Sequence, residues 1–133
     1  LPKSGYRFAV EVRNKTWMNA PLFEILHDHG VPCCLIDHPW MSPPDQLFKH
    51  KEIVTAPFAY IRWLGDRYGI EKITKVWNQT VVDRSGALDR WVPHVRALVE
   101  KKMDVYGYVN NHYAGYAPEN VDQLIEKLAQ PES

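Results

Sequence analysis

Charged and amide side chains close four short apolar runs of this chain, at residues 6–13, 33–38, 58–65 and 105–112. A stretch of helical character follows each run, an order that predicts parallel strands in one sheet. Polar groups at the carboxyl ends of parallel strands meet where α/β folds place their ligands. The sequence therefore predicts where a site lies, but it does not name a reaction.

Glu11 and Arg13 stand two residues apart in the first run, so they share one face of a predicted strand. Opposite charges that face a sheet interior are expected to pair, because an unpaired buried charge is very costly. Two interpretations remain open. Either Glu11 is a base or ligand contact and Arg13 clamps an anionic group, or the two form a structural salt bridge.

Asp37 ends the second run, and His38 follows it at once. Asp37 is either an acid–base group or metal ligand beside His38, or a cap for backbone N–H groups of a loop. Arg62 shares a face with Tyr60, and its expected partner is Glu11 or Asp37 unless an anionic ligand competes for it. Glu11 and Asp37 are thus the candidate catalytic carboxylates.

Amide and aromatic side chains near the strand ends complete the predicted site. Asn110 and Asn111 offer donors and acceptors without charge, although the same groups suit a turn. Trp63 could stack on a flat ligand, or it could anchor the core. The candidate ligand-binding residues are Arg13, Arg62, Asn110, Asn111, Tyr108 and Trp63.

No cofactor is indicated, and no metal is expected. A zinc site built from Glu11, Asp37, His38 and His112 is conceivable, but the chain has no HxH or HExxH spacing. Residues 115–120 lead into a predicted helix, where eight-stranded α/β barrels often hold phosphate. An ordinary loop-to-helix connection explains those residues equally well.

Composition bounds the class of protein. The length of 133 residues suits one domain, and 45% hydrophobic residues supply a core. Sixteen basic and sixteen acidic side chains cancel, so charge does not indicate nucleic acid or an anionic membrane as a partner. No apolar run approaches membrane-spanning length. Cys33 and Cys34 are adjacent, a spacing that favours two buried thiols in a reducing cytoplasm over a disulfide.

The elements that must position these residues follow from the apolar periodicity. Strands are predicted over residues 8–13, 31–37, 58–64 and 105–109. Helices are predicted after Asn19, within 45–53, over 87–102 and from Pro118, with a weaker helical pattern in 66–84. Pro93 should kink the third of these helices or mark its regular start. Four such units make half of an eight-stranded barrel or an open four-stranded sheet, and periodicity does not choose between them.

A family resemblance adds to this pattern. Residues 7–17, RFAVEVRNKTW, resemble the FAVEFRHxSW stretch of the YecE-like proteins, a large family of domains of unknown function. Residues 105–120, VYGYVNNHYAGYAPEN, resemble that family's closing VYVYFNNxxxGxAPxNA, and residues 35–37 and 60–65 lie between them in the same order. The resemblance implies a TIM-barrel-like fold about twice this length. Residues 1–133 then form one domain, the C-terminal half with about four βα units.

The resemblance implies positions but no reaction, since the family has no established activity. Many members have His two residues after the arginine of the third run, where this chain has Leu64. We expect a polar pocket that binds a small anionic or phosphorylated ligand. Two functions remain open for this pocket: hydrolase or lyase activity that uses a carboxylate as acid or base, and non-catalytic binding of a metabolite or nucleic-acid fragment. A half barrel exposes sheet edges, so we also expect contact with an N-terminal half or self-association.

Overall fold

The computed structural model describes residues 5–132 and contains one parallel sheet of three strands in the order β1–β2–β3. The strands are β1 (Leu35–Asp37), β2 (Phe58–Trp63) and β3 (Asp104–Val109). Arg62 lies opposite Ile36 of β1 and opposite Tyr108 of β3. The predicted α/β class with parallel strands is therefore confirmed.

The prediction of a strand over residues 8–13 was wrong. Within the described residues, this segment forms only a single β-bridge. Val10 pairs with Cys33: its N–H donates to Pro32 O at 3.0 Å, and its carbonyl accepts from Cys34 N–H at 2.8 Å. A strand needs consecutive ladder pairs, and among the described residues of this segment only Val10 is paired. The next strand is also shorter than predicted, because regular pairing with β2 begins at Leu35.

Five helices connect and flank the strands within residues 5–132. They are α1 (Ala20–Asp28), α2 (Pro44–Leu47), α3 (Arg67–Glu71), α4 (Ser85–Glu100) and α5 (Ala117–Ala129). Short 3-10 turns occupy Lys15–Trp17, Lys51–Ile53 and Asn111–Tyr113. Pro93 lies inside α4 without ending it. None of the helices described is long and apolar enough to cross a membrane.

The two faces of the sheet differ in burial. On one face Ala59, Ile61 and Trp63 are at most 6% exposed and belong to one core with Trp91 of α4. On the other face the side chains of β2 are half-buried, and Tyr106 and Tyr108 of β3 are 39% and 50% exposed. We call this second surface the open face; it is formed by Phe58, Tyr60, Arg62, Tyr106 and Tyr108.

Candidate functional site

Glu11 accepts hydrogen bonds from two arginines on the open face, near the carboxyl ends of the strands. Arg13 Nε donates to Glu11 Oε1 at 2.7 Å, and Arg62 Nη1 donates to Glu11 Oε2 at 2.5 Å. The single bridge at Val10 holds Glu11 beside β1, and the register of β2 brings Arg62 to it. Three of the predicted site residues therefore lie together, and the expected pairing of Arg62 with Glu11 is present.

The pKa of Glu11 reflects two opposing effects. Partial burial would raise it, but the hydrogen bonds and positive charges of Arg13 and Arg62 outweigh burial and hold the pKa below its usual value. The pKa of Arg62 is raised in turn, chiefly by its bond to Glu11. Glu11 is therefore a carboxylate at neutral pH, which makes it a poor proton donor.

The cluster carries more positive than negative charge. Within residues 5–132, Glu11 is the single carboxylate within 4 Å of Arg13 or Arg62. A guanidinium has five N–H donors, and each arginine gives one of these bonds to Glu11. The side chain of Arg13 is 55% exposed and that of Arg62 is 29% exposed, so both keep donors that an anion could reach.

Tyr108 lies next to this cluster on the same face. It stands opposite Arg62 in the strand register, and its ring stacks on Tyr60 with centroids 5.1 Å apart and an interplanar angle of 26°. Half of Tyr108 remains exposed. A ligand held by the two arginines would therefore meet an aromatic surface on the β3 side.

The two asparagines have different surroundings. The backbone of Asn110 bonds to Trp63 O and Tyr113 N–H, and its half-buried side chain makes no hydrogen bond with any described residue. Asn111 Oδ1 instead accepts from Ala117 N–H at 2.9 Å and caps the start of α5. Asn110 keeps a free amide, whereas Asn111 serves the turn, the alternative stated for it.

Asp37 does not join Glu11, Arg13 and Arg62, although the sequence suggested a common cavity. Because Ile36 lies beside Arg62 on the open face, alternation turns Asp37 to the helix side. Its Oδ2 accepts from Trp91 Nε1 at 2.9 Å and from Tyr113 OH at 3.2 Å. Burial raises the pKa of Tyr113, and the negative charge of Asp37 raises it further, so this hydroxyl stays protonated.

Trp63 also lies on the helix side, where it cannot stack on a ligand at the open face. It is 1% exposed and packs edge-on against Trp91, with ring centroids 5.5 Å apart. Its alternation with Arg62 along β2 is the physical reason. The ligand role predicted for Trp63 is therefore replaced by its alternative role, a core anchor.

A cavity of about 360 Å³ opens between the ends of β1 and β2 and the start of α4. Its lining combines carboxylates and guanidiniums with His38 and three prolines; the charged residues are Asp37, Asp66, Arg84 and Arg90. Arg13 and Arg62 are not part of this lining. The strand ends thus carry two separate polar regions, one on each side of the sheet.

His38 stands between the two regions. Its Nδ1 accepts from Trp40 N–H at 3.1 Å, which places the proton of the neutral ring on Nε2. Burial lowers its pKa below the usual value, and the charge of Arg13 lowers it further, against the opposing carboxylates of Asp66, Asp37 and Glu11. His38 is therefore mostly neutral at neutral pH.

The sequence reasoning missed Arg84 and Arg90. Arg84 Nε donates to Tyr113 O at 3.0 Å, and its guanidinium lies 5.7 Å from the centre of the Tyr113 ring. It falls at the end of the stretch whose helical pattern was weakest. A cation directly before a strongly patterned helix is the signal that could have identified it. No local signal links Arg90 to the site, because its partner Asp45 lies 45 residues away.

The described residues hold no group of three or more His, Cys, Asp or Glu side chains that could bind a metal ion. Cys33 and Cys34 are free and buried, as expected. Burial raises the pKa of Cys33 to about 11 and that of Cys34 to about 12, the latter with a contribution from the charge of Glu11. Both thiols stay protonated, which suits packing rather than nucleophilic chemistry.

Comparisons with known proteins agree with this fold. A DUF72 family protein of Thermotoga maritima matches with a TM-score of 0.67 and 25% identity, over 94% of this chain and 47% of its own. A DUF72 family protein of Enterococcus faecalis matches with a TM-score of 0.64 and 16% identity, over 96% and 49%. The chain thus spans about half the length of each solved relative. No curated protein matches it.

The family model described as a protein of unknown function, DUF72, matches residues 1–133. The chain therefore belongs to the DUF72 family.

Proposed function

We propose that the chain binds a small anionic or phosphorylated ligand at the strand end of the open face, through Arg13 and Arg62. The observation that carries this proposal is that two guanidiniums share one carboxylate, Glu11. Glu11 fixes the orientation of both arginines and leaves one positive charge uncompensated, which a phosphate or carboxylate would balance. Tyr108 and Asn110 supply the neighbouring aromatic and amide contacts.

Binding is favoured over catalysis by a carboxylate. A general acid or base works best with a pKa near the operating pH, whereas both arginines hold the pKa of Glu11 low. Asp37 lies on the opposite side of the sheet from Arg13 and Arg62, so it could not act on an anion held there. Glu11 is therefore assigned a positioning role, and hydrolase or lyase chemistry is not part of the proposal.

The open face is proposed to be one wall of the binding site, as in half of a TIM-like barrel. Three parallel strands, the bridge at Val10 and the length of chain in the solved relatives support this arrangement. The other wall would come from a corresponding N-terminal half or from a second copy. The exposed tyrosines of β3 would then line the interior instead of facing water.

Calorimetric titration with inorganic phosphate and with phenyl phosphate tests the proposal. Arg13→Ala and Arg62→Ala should each weaken binding by about tenfold or more, because each removes a charge-assisted contact. Arg67→Ala is the matched control: Arg67 is 68% exposed and also bonds one glutamate, Glu71, but lies outside the cluster.

The proposal is wrong if Arg13→Ala and Arg62→Ala bind both phosphates as tightly as the unmodified chain. It is equally wrong if Arg67→Ala weakens binding to the same extent, since the effect would then be one of general surface charge. Near-ultraviolet circular dichroism of each variant separates lost binding from lost packing.

A further inference from the structure

The cavity between the ends of β1 and β2 contains unlike charges that are not paired with each other. Asp37 accepts hydrogen bonds from Trp91 and Tyr113 through Oδ2 alone, and no cation of residues 5–132 lies within 4 Å of its carboxylate. Arg84 gives Nε to Tyr113 O, and no described carboxylate lies within 4 Å of it. Tyr113 holds both groups in place while keeping them apart.

The charge of the lining differs in sign from that of the open face. Arg90 is neutralised by Asp45: its Nε donates to Asp45 Oδ2 at 2.9 Å, and its Nη2 lies 2.9 Å from the same oxygen. Asp66 Oδ1 accepts from Gly69 N–H at 3.0 Å, and no cation of the described residues lies within 4 Å of the Asp66 side chain. Two carboxylates, Asp37 and Asp66, therefore face one free guanidinium, Arg84. A purely anionic ligand is disfavoured in this cavity, whereas a ligand with a cationic group is favoured.

We propose that this cavity is a second binding site, which takes a small zwitterion with its ammonium group at Asp37 and its anionic group at Arg84. An amino acid presents this chemistry. The guanidinium of Arg84 suits a carboxylate because its donors form a planar fork. A metal ion does not fit the same acidic side: Asp37, Asp66 and His38 line the cavity, but the described residues hold no group of three such side chains placed to bind a metal ion.

The size and walls of the cavity agree with a small ligand. Its volume of about 360 Å³ lies at the lower end of the range for small-molecule sites. Pro39, Pro43 and Pro44 line it, and their fixed backbone angles favour a preformed shape. Ala87, in the first turn of α4, lines the cavity with a single methyl group.

Calorimetry on the whole chain tests the proposal with zwitterions and matched single-charge compounds. The probes are glycine, γ-aminobutyrate and ε-aminocaproate, each beside the carboxylic acid and the amine of the same chain length. At least one zwitterion should bind about tenfold or more tightly than both of its matched compounds, because each end forms a charge-assisted bond. Asp37→Asn should remove the advantage over the acid, and Arg84→Gln the advantage over the amine.

A variant that fills the cavity, compared with a control variant elsewhere on α4, tests the proposal without changing any charge. Ala87→Leu should abolish binding, while Ala97→Leu, the same change at an exposed position of α4, should leave it intact. Equal affinity for zwitterion, acid and amine overturns the proposal, and so does binding that survives Ala87→Leu. Arg13→Ala should leave zwitterion binding unchanged even where phosphate binding is lost. Loss of both in a folded variant means one shared site and also overturns the proposal.

Discussion

At the scale of single residues, Glu11 governs the open face. Glu11 pairs with Arg13 and with Arg62. Its removal would leave the like charges of these two arginines without the carboxylate that they share. The carboxylate is 23% exposed, and its bonds are therefore only partly screened by water. Such a group contributes to stability through its charge as well as through its hydrogen bonds.

The lowered pKa of Glu11 predicts a pH dependence of stability. Its folded pKa lies below the unfolded value of 4.5, so the unfolded chain takes up the proton first as the pH falls. The stabilisation is thus complete above about pH 5 and is lost as the pH falls through the folded pKa. Glu11→Gln should cost about 2 kcal/mol in the free energy of unfolding at neutral pH, because two charge-assisted bonds become ordinary ones.

Urea unfolding of the unmodified chain and of Glu11→Gln, at neutral and at acidic pH, measures this effect. The difference between them should shrink as the pH falls, since the other carboxylates titrate alike in both. Glu24→Gln, at an exposed position of α1, is the control and should leave the free energy of unfolding unchanged at both pH values. A constant difference between the two chains from neutral to acidic pH would contradict the assignment.

At the scale of elements, the exit of β2 is held against the 3-10 turn Asn111–Tyr113. Gly65 has a φ of +72°, a conformation in which side chains are strained. A Cβ there would lie 2.5 Å from Tyr113 Cα and 2.6 Å from His112 O. This backbone contact sets the position of Tyr113, whose hydroxyl reaches Asp37. The cavity therefore depends on a residue that has no side chain.

Gly65→Ala should lower the free energy of unfolding by about 3 kcal/mol, the sum of backbone strain and a clash with neighbouring backbone. Gly86→Ala is the matched control in the first turn of α4, where an added Cβ meets no atom within 4 Å. That variant should be neutral or stabilising by up to about 1 kcal/mol. Urea unfolding of the two variants checks both values, and equal effects would refute the proposed contact.

At the scale of the whole molecule, the described residues cover the two sides of the sheet unequally. On the side of the open face, Ile36 of β1 is 1% exposed, whereas Tyr108 of β3 is 50% exposed. The helix side holds a continuous core, whereas the open face presents Tyr106 and Tyr108 to water at the edge strand β3. An edge strand with exposed aromatic side chains is a surface on which further strands can pair. Covering it would remove apolar area from water and would enclose the Arg13–Arg62 cluster.

The chain alone should therefore associate. Light scattering after size exclusion should give a mass above the 15.5 kDa of one chain at micromolar concentration. Tyr108→Lys should shift the mass toward one chain, because a charge on the open face disfavours its burial. Tyr68→Lys, at a tyrosine that is 72% exposed elsewhere, should not. A soluble single chain that unfolds cooperatively would argue against the half-barrel arrangement.

Local pattern was sufficient for part of the molecule. The parallel sheet, β2, β3 and α4 could all be predicted, because apolar periodicity and spacing are properties of short segments. The shared face of Glu11 and Arg13 followed from their separation by two residues, and their contact agrees with it. These features need no knowledge of which element packs against which.

Only the tertiary structure decided the surroundings of Asp37, Trp63 and Arg84. Asp37 ends a run that is apolar at nearly every position, so no alternation indicates its face; the register beside Ile36 and Arg62 determines it. Residues 8–13 have the composition of a strand, but a strand also needs neighbours, and here a single bridge is formed. Arg84 reaches the cavity because α4 packs over the sheet. Which face a side chain takes and what it meets there depend on contacts between distant segments, and no local pattern records those contacts.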